Sequence, residues 1–327
     1  MKKKIILTGD SPTYNKLHIG HYFGSIKKRI KYQKKNKLYL IIADNQAISN
    51  EKNIDIINKN ILEITIEYLA LGINTKYTNI FVQSKIPELN EFYTFFLNFV
   101  NYNFLIKNPT IKKELKNKKI NNLGFITYPV SQAADILSFL SDYTIVGKDQ
   151  IPIIEQVNKI SKRVNNFLGK NYFKKCKIIN GNKNTIMGIY GKNKMSKSLN
   201  NSININSTDK EISKIVNKIY TDPNRIRKNI PGNYKKNMVF KYLSLFSYNT
   251  SKLKKEYLNG NISDCYTKKI LKERILDFLV PIKKKINEYR KNIDFILEIL
   301  KKGTEKSRSV VCKNLEKFKK NFGKSIF

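Results

Sequence analysis

The chain has 327 residues, room for about two domains, and its 41% hydrophobic content is enough for a sizeable core. Its formal net charge is +38, from 63 Lys and Arg against 25 Asp and Glu. Such a field attracts polyanions, nucleic acid foremost, and no amphipathic anchor points to a membrane surface. Three scattered cysteines (Cys176, Cys265 and Cys312) and two histidines form no ligand cluster, which argues against structural zinc and fits a reducing compartment.

Only seven of the basic residues are arginine. Lysine, asparagine and isoleucine share AT-rich codons, so part of the charge is read as coding bias on a solvated surface. No signal-peptide pattern and no span-length apolar run are present, and the expected location is the cytoplasm or an organelle matrix. The longest uncharged run, 92–106, is expected to form a buried helix that can support a subunit contact.

In chain order, KIILTG (4–9), LYLIIAD (38–44), NIFVQS (79–84) and DYTIV (142–146) are short apolar runs that suit buried strands. Between them lie helical patterns. One begins near His18. Ile54, Ile57, Ile61, Ile64, Tyr68 and Leu71 trace another, stopped by Gly72, and Ile154, Val157, Ile160 and Val164 a third. Strands alternating with helices predict a doubly wound parallel sheet, a Rossmann-like nucleotide-binding fold, over 1–199. From 200 onward the pattern is helical. Thr208-x-x-Glu211 is a capping box, Pro281 is expected to kink a helix over 262–301, and Gly303 to end it. The second domain is therefore set at 200–327, with its last helix able to pack back on the first.

Both histidines of the chain fall in KLHIGHYFG (16–24). A helix start presents unpaired N–H groups that suit a phosphate; His18 and His21 share one helix face, and Gly20 leaves room for a flat base. Alone, the string also fits two ordinary helix histidines. NKMSKS (193–198) offers donors able to fold over a polyphosphate as charge moves to the leaving group, and alone also fits a solvated basic loop. The two together are far rarer than either.

This pair of motifs resembles the signatures of the class I aminoacyl-tRNA synthetases. TYPVSQAADIL (127–137), VGKDQIPIIEQ (146–156), LTGDSPT, YLALGI, VQSKIPEL and YTDPNRIR are similar to the bacterial-type tryptophanyl branch, over nearly all of residues 4–240. The resemblance implies an ATP-dependent ligase that forms tryptophanyl-adenylate and pyrophosphate from L-tryptophan and ATP, then charges tRNA(Trp). It further implies a homodimer, ATP accompanied by Mg²⁺ with no protein metal cage, and an anticodon-binding helical region whose target bases can splay and stack.

Residue by residue, the resemblance puts Ser11, Pro12 and Thr13 under ATP beside Gly20 and His21. Gly147, Lys148, Asp149 and Ile186 are further ATP contacts. Lys194, Met195, Ser196, Lys197 and Ser198 form the loop on the pyrophosphate, and His18, His21, Lys194 and Lys197 carry the catalysis. Tyr128, Asp135 and Gln150 lie on the amino-acid side. Asp135 also has a physical rationale, since an indole N–H can only donate and a selective pocket must supply an acceptor. A phenol could pair with it too, and Asp135 also reads as a carboxylate satisfied by a neighbour, Tyr128 as a core aromatic and Ile186 as a core aliphatic. Two departures stand out: Tyr14-Asn15 replaces the single glycine expected before the histidine element, and Lys148 stands where many relatives carry glutamate. The alternatives are a tyrosyl enzyme, a nucleotidyltransferase sharing the H-x-G-H element, and a non-catalytic RNA-binding protein on a degenerate scaffold.

Overall fold

The computed structural model describes residues 3–13, 16–117, 122–180, 186–196, 199–225, 227–321 and 323. Five strands form one sheet: β1 (Ile5–Asp10), β2 (Lys37–Ile42), β3 (Thr78–Val82), β4 (Tyr143–Val146) and β5 (Lys177–Asn180). The order is β3-β2-β1-β4-β5 and every pairing is parallel. β2 is buried over its last five residues, as expected of an apolar strand covered on both faces. β1 pairs with its successor on one side and with β4 on the other. That change of direction is the switch point, where open α/β sheets bind ligands beyond their strand C-termini.

The helices before the last strand are α1 (Ile19–His21), α2 (Lys27–Gln33), α3 (Asp44–Ala47), α4 (Ile54–Leu71), α5 (Glu88–Leu97), α6 (Tyr102–Ile106), α7 (Pro109–Asn117), α8 (Leu123–Ser138) and α9 (Ile151–Phe167). A π-helical stretch, Tyr22–Ile26, joins α1 to α2. α10 (Asp209–Asn217), α11 (Met238–Leu245), α12 (Ser251–Leu258), α13 (Asp264–Arg290) and α14 (Ile293–Asn321) follow.

Local chemistry fixes several boundaries. The Asn53 side chain accepts from Asp55 and Ile56 N–H to start α4, and Gly72 ends it at φ 111°. Thr208 and Glu211 form the predicted capping box of α10.

Two compact units emerge. One contains Met1–Asn15, Ser25–Lys183 and Tyr289–Phe327; the other contains Lys16–Gly24 and Asn184–Glu288. The first holds the sheet, with a core that includes Phe81, Phe92, Phe96, Phe139, Val157 and Phe318.

Three expectations are corrected. The run 92–106 is not one helix: α5 ends at Leu97, and Asn101 caps a separate α6 by accepting from Phe104 N–H. Its aromatic residues pack within the same chain, Phe92 and Phe95 each 5.4 Å from Phe318 by ring centroid. The stretch 262–301 is not one helix: α13, which contains Pro281, stops at Arg290, and Asn292 starts α14 by accepting from Phe295 N–H. Gly303 does not end a helix. It lies inside α14 at a close approach to β3, where a Cβ would come within 2.0 Å of the Ile80 carbonyl oxygen. β5 had no counterpart in the apolar runs.

Candidate functional site

In the first unit, the loops after β1 and β4 lie at the switch point. The Thr8 hydroxyl donates to the Ile145 carbonyl at 2.7 Å and ties these two strands together. β1 ends on a buried polar cluster. Arg29, 2% exposed, donates to Asp10 Oδ2 at 2.6 Å and to the Gly9 carbonyl at 3.2 Å, and the Tyr68 hydroxyl donates to the same Asp10 oxygen. Burial works against the charge of Arg29, but Asp10 and Tyr68 outweigh it and hold the guanidinium above its ordinary value. Burial and the adjacent Asp10 push the Tyr68 hydroxyl well up.

Ser11, Pro12 and Thr13 follow directly. Pro12 is buried and its carbonyl accepts from the Asn60 side chain at 2.8 Å. Tyr14 and Asn15, the expected insertion, lie outside the described residues. After β4, Gly147 leads into a single turn, Lys148–Gln150, closed by Gln150 N–H donating to the Gly147 carbonyl at 3.1 Å. Lys148 and Asp149 are exposed, and the Thr110 hydroxyl holds the Asp149 carbonyl at 2.8 Å.

α8 carries Tyr128 and Asp135, seven residues apart and so on one helix face. Tyr128 is buried with Ile111, Phe125 and Ile153, and burial pushes its hydroxyl up. Asp135 is 4% exposed. Its carboxylate accepts from Gln83 Nε2 at 2.9 and 3.0 Å, so a neighbour does partner it. Burial pushes its carboxyl up to about 7 from the ordinary carboxylate range, making it a weaker acid; Gln83 pulls in the other direction, and Asp44 adds to the rise.

In the second unit, Leu17 to Ile19 run antiparallel to Ile203 to Ile205, with Ile19 N–H donating to the Ile203 carbonyl and Ile205 N–H to that of Leu17, both at 2.9 Å. His18 is buried and His21 half-buried. His18 N–H donates to His21 Nδ1 at 3.2 Å, so a neutral His21 carries its proton on Nε2. A Cβ on Gly20 would come within 2.7 Å of His18 Nδ1 and 3.1 Å of Met195 Sδ. That contact brings the two signature motifs together within one unit.

Residues 186–196 form a tight hairpin. Met195 N–H donates to the Ile186 carbonyl at 2.9 Å, and Gly188 N–H to that of Asn193 at 2.8 Å. Met195 is buried and anchors the strand, Lys194 is exposed, and Ile186 and Ser196 are half-buried. Asn201 pins the far side, accepting from Ser196 N–H at 2.7 Å and donating to the Lys194 carbonyl at 3.2 Å. Lys197 and Ser198 lie outside the described residues.

Sequence reasoning passed over Gln83, Asn60 and Asn201. Each is a buried amide that holds a candidate site residue; Gln83 falls within VQSKIPEL, but that stretch carries the resemblance without singling out the amide, and in so asparagine-rich a chain nothing local sets Asn60 and Asn201 apart. Among the described residues no group of three or more His, Cys, Asp or Glu side chains could hold a metal ion, and no helix is long and apolar enough to cross a membrane.

Residues 1–280 match the family model described as "tRNA synthetases class I (W and Y)". A protein of Clostridium longisporum named tryptophan–tRNA ligase is 40% identical, the match covering 100% of this chain and 99% of the relative. A Streptococcus mutans protein of the same name is 39% identical, with both chains covered in full. The solved structure of tryptophanyl-tRNA synthetase from Campylobacter jejuni complexed with ADP and tryptophan superposes with a TM-score of 0.87 at 29% identity, covering 98% of this chain and 99% of that one.

Proposed function

Because the chain belongs to the class I tRNA synthetases of the tryptophan and tyrosine branch, we propose that it is an ATP-dependent tryptophan–tRNA ligase. The observation that carries this reading is the end-to-end match, at 40% identity, to a protein named tryptophan–tRNA ligase. The buried Asp135 acceptor is consistent with an indole N–H as the group recognised.

The tryptophan carboxylate attacks the α-phosphate of ATP, an oxygen–phosphorus bond forms as the bond to the β-phosphate bridge breaks, and pyrophosphate leaves. A ribose hydroxyl of the nucleotide at the tRNA 3′ end then attacks the adenylate's carbonyl carbon, an ester bond forms, and AMP leaves. This chemistry calls for positioning and charge stabilisation more than for a protein nucleophile. Ser11 to Thr13, Gly20, Gly147 to Asp149 and Ile186 cradle ATP. His18 and His21 donate to its phosphates, while Lys194 and Lys197, with Met195, Ser196 and Ser198 shaping their loop, neutralise the departing pyrophosphate. Asp135 accepts the indole N–H, Tyr128 lines the ring's side and Gln150 lies toward the amino-acid group. Mg²⁺ would accompany the nucleotide as part of the substrate and would help to neutralise its phosphates.

Residues 1–199 act as the catalytic domain and 200–327 as the helical anticodon-binding region, whose last helix, α14, packs back on the catalytic sheet, in a homodimer working in the cytoplasm. The positive field draws tRNA in.

ATP–pyrophosphate exchange run with each amino acid tests the reading, followed by charging of tRNA transcripts. Exchange with tryptophan alone is the expected result. Exchange with tyrosine and none with tryptophan would overturn it in favour of the tyrosyl branch, and no adenylate with any amino acid would point to a non-catalytic RNA-binding protein.

A further inference from the structure

The chain turns that follow β2 and β3 converge on one carboxylate. Asp44 stands at the end of β2, where its Oδ1 accepts from Ser84 N–H at 2.9 Å. Gln83 follows β3 directly and is 3% exposed. Its Nε2 donates to both oxygens of Asp135, at 2.9 and 3.0 Å, and lies 3.4 Å from Ser131 Oγ. Its Oε1 is buried and has no hydrogen-bond partner among the described residues. Buried amides ordinarily satisfy both ends. Here the amide is turned so that its nitrogen, which also reaches Ser131 Oγ, bridges both carboxylate oxygens while its own carbonyl goes without, an orientation explained by what it does for Asp135 rather than by its own pairing.

The electrostatics agree with the geometry. The charged group facing Asp135 from the neighbouring elements is Asp44, of like sign, and no Lys, Arg or His forms an ion pair with Asp135 among the described residues. Burial and Asp44 both favour the protonated acid, and Gln83 is the group that favours the carboxylate. A carboxylate offers acceptors only, whereas the acid gives up a lone pair and adds a donor that an indole cannot use.

We propose that Gln83 is a positioning residue of the amino-acid site: its amide holds Asp135 in the orientation and the ionised form that an indole N–H requires. This rests on the assignment of Asp135 to the indole. The remaining lone pairs of both oxygens stay available to the ligand while Gln83 occupies one on each.

The test is tryptophan-dependent ATP–pyrophosphate exchange at saturating ATP over pH 6–9, with KM for tryptophan and the maximal rate read separately. It compares the wild type with Asp135→Asn, Gln83→Met and Gln83→Glu. In the wild type, KM rises as pH falls and Asp135 takes up its proton. Asp135→Asn raises KM roughly tenfold or more and flattens its pH dependence. Gln83→Met moves the rising limb up by about one pH unit, so KM is roughly threefold higher at pH 7.5 and approaches tenfold higher toward pH 6, converging on the wild type at pH 9 with little change in maximal rate. Gln83→Glu moves it further, because a second carboxylate faces the first. A limb that stays at its wild-type pH in Gln83→Met, or a loss confined to maximal rate, overturns the inference alone. An unchanged KM in Asp135→Asn overturns the indole assignment and this inference with it. If Gln83→Met does not fold, Gln83→Asn, which withdraws the amide by one methylene, carries the same expectation.

Discussion

The imidazole rings of His18 and His21 stack, with centroids 3.7 Å and planes 22° apart. The stack is fastened at its base by the His18 N–H to His21 Nδ1 bond, which leaves Nε2 of His21 as the protonated edge of the neutral ring. The geometry separates what His21 does for the backbone from what it can do for a ligand. His21→Asn retains an acceptor for His18 N–H and removes the outer donor. Exchange activity is expected to fall roughly 10²-fold or more, with unfolding free energy within about 1 kcal/mol of the wild type. Urea titration and exchange kinetics on the same preparation check both halves.

Gly20→Ala tests the contact between the two signatures. The added methyl would meet His18 Nδ1 at 2.7 Å and Met195 Sδ at 3.1 Å, so the His18 ring must move. If His18 acts on the phosphates as proposed, moving its ring by an ångström costs about 10²-fold. The expected outcome is a loss of that order in kcat/KM for ATP with a near-normal thermal midpoint; a fully active variant would mean the ring can turn aside without consequence.

Asp135 gives a pH-dependent stability with a definite sign. Its folded acidity lies near 7 because of burial, only partly countered by Gln83, against about 3.9 in an unfolded chain. Between those values the native protein keeps a proton that the unfolded chain has released. The contribution is therefore fully present below about pH 4 and is lost as pH rises through 7, where the ionised buried group costs on the order of 4 kcal/mol. Asp135→Asn should raise the unfolding free energy at pH 8 well above its effect at pH 5, while tryptophan binding weakens at both. Equal effects at the two pH values would remove burial as the cause.

Arg29→Met leaves Asp10 and Tyr68 facing each other without the guanidinium. Breaking a buried pair from one side costs about 3–5 kcal/mol, and because the Asp10 side chain is 26% exposed the lower figure is expected. Adding Asp10→Asn should recover part of the loss, a coupling that a double-mutant cycle by urea unfolding would measure.

For Gly303→Ala the expected sign is opposite to that of the same change in an open helix. Alanine normally stabilises a helix interior by about 1 kcal/mol over glycine. Here its methyl would press on the Ile80 carbonyl at 2.0 Å, forcing α14 off β3, and overpacking of this kind costs about 1–3 kcal/mol. A raised thermal midpoint would show that the helix can slide to make room.

The parallel strands were legible in the sequence because a strand covered on both faces reads as an unbroken apolar run, and four of the five announced themselves that way. β5 did not: Lys177–Asn180 has two apolar residues between polar ends, and its place is set by pairing with β4. Gly303 was misread because a glycine that ends a helix and one that admits a neighbouring backbone look alike along the chain. The signature residues were legible as an improbable pair of motifs. The amides that hold them in place were not, since Gln83, Asn60 and Asn201 act through contacts that only the folded chain creates.

The hydrogen bond from Val82 N–H to Thr304 Oγ1 joins residues 222 positions apart, along the outer edge of β3 that α14 covers. A ribosome adding about 5–20 residues per second reaches Thr304 on the order of ten to forty seconds after Val82. During that interval the outer edge of the strand and the phenylalanines that will meet Phe318 lack their final cover. Until its last helix arrives the nascent chain therefore presents an open strand edge and uncovered aromatic rings, the kind of surface on which neighbouring chains associate.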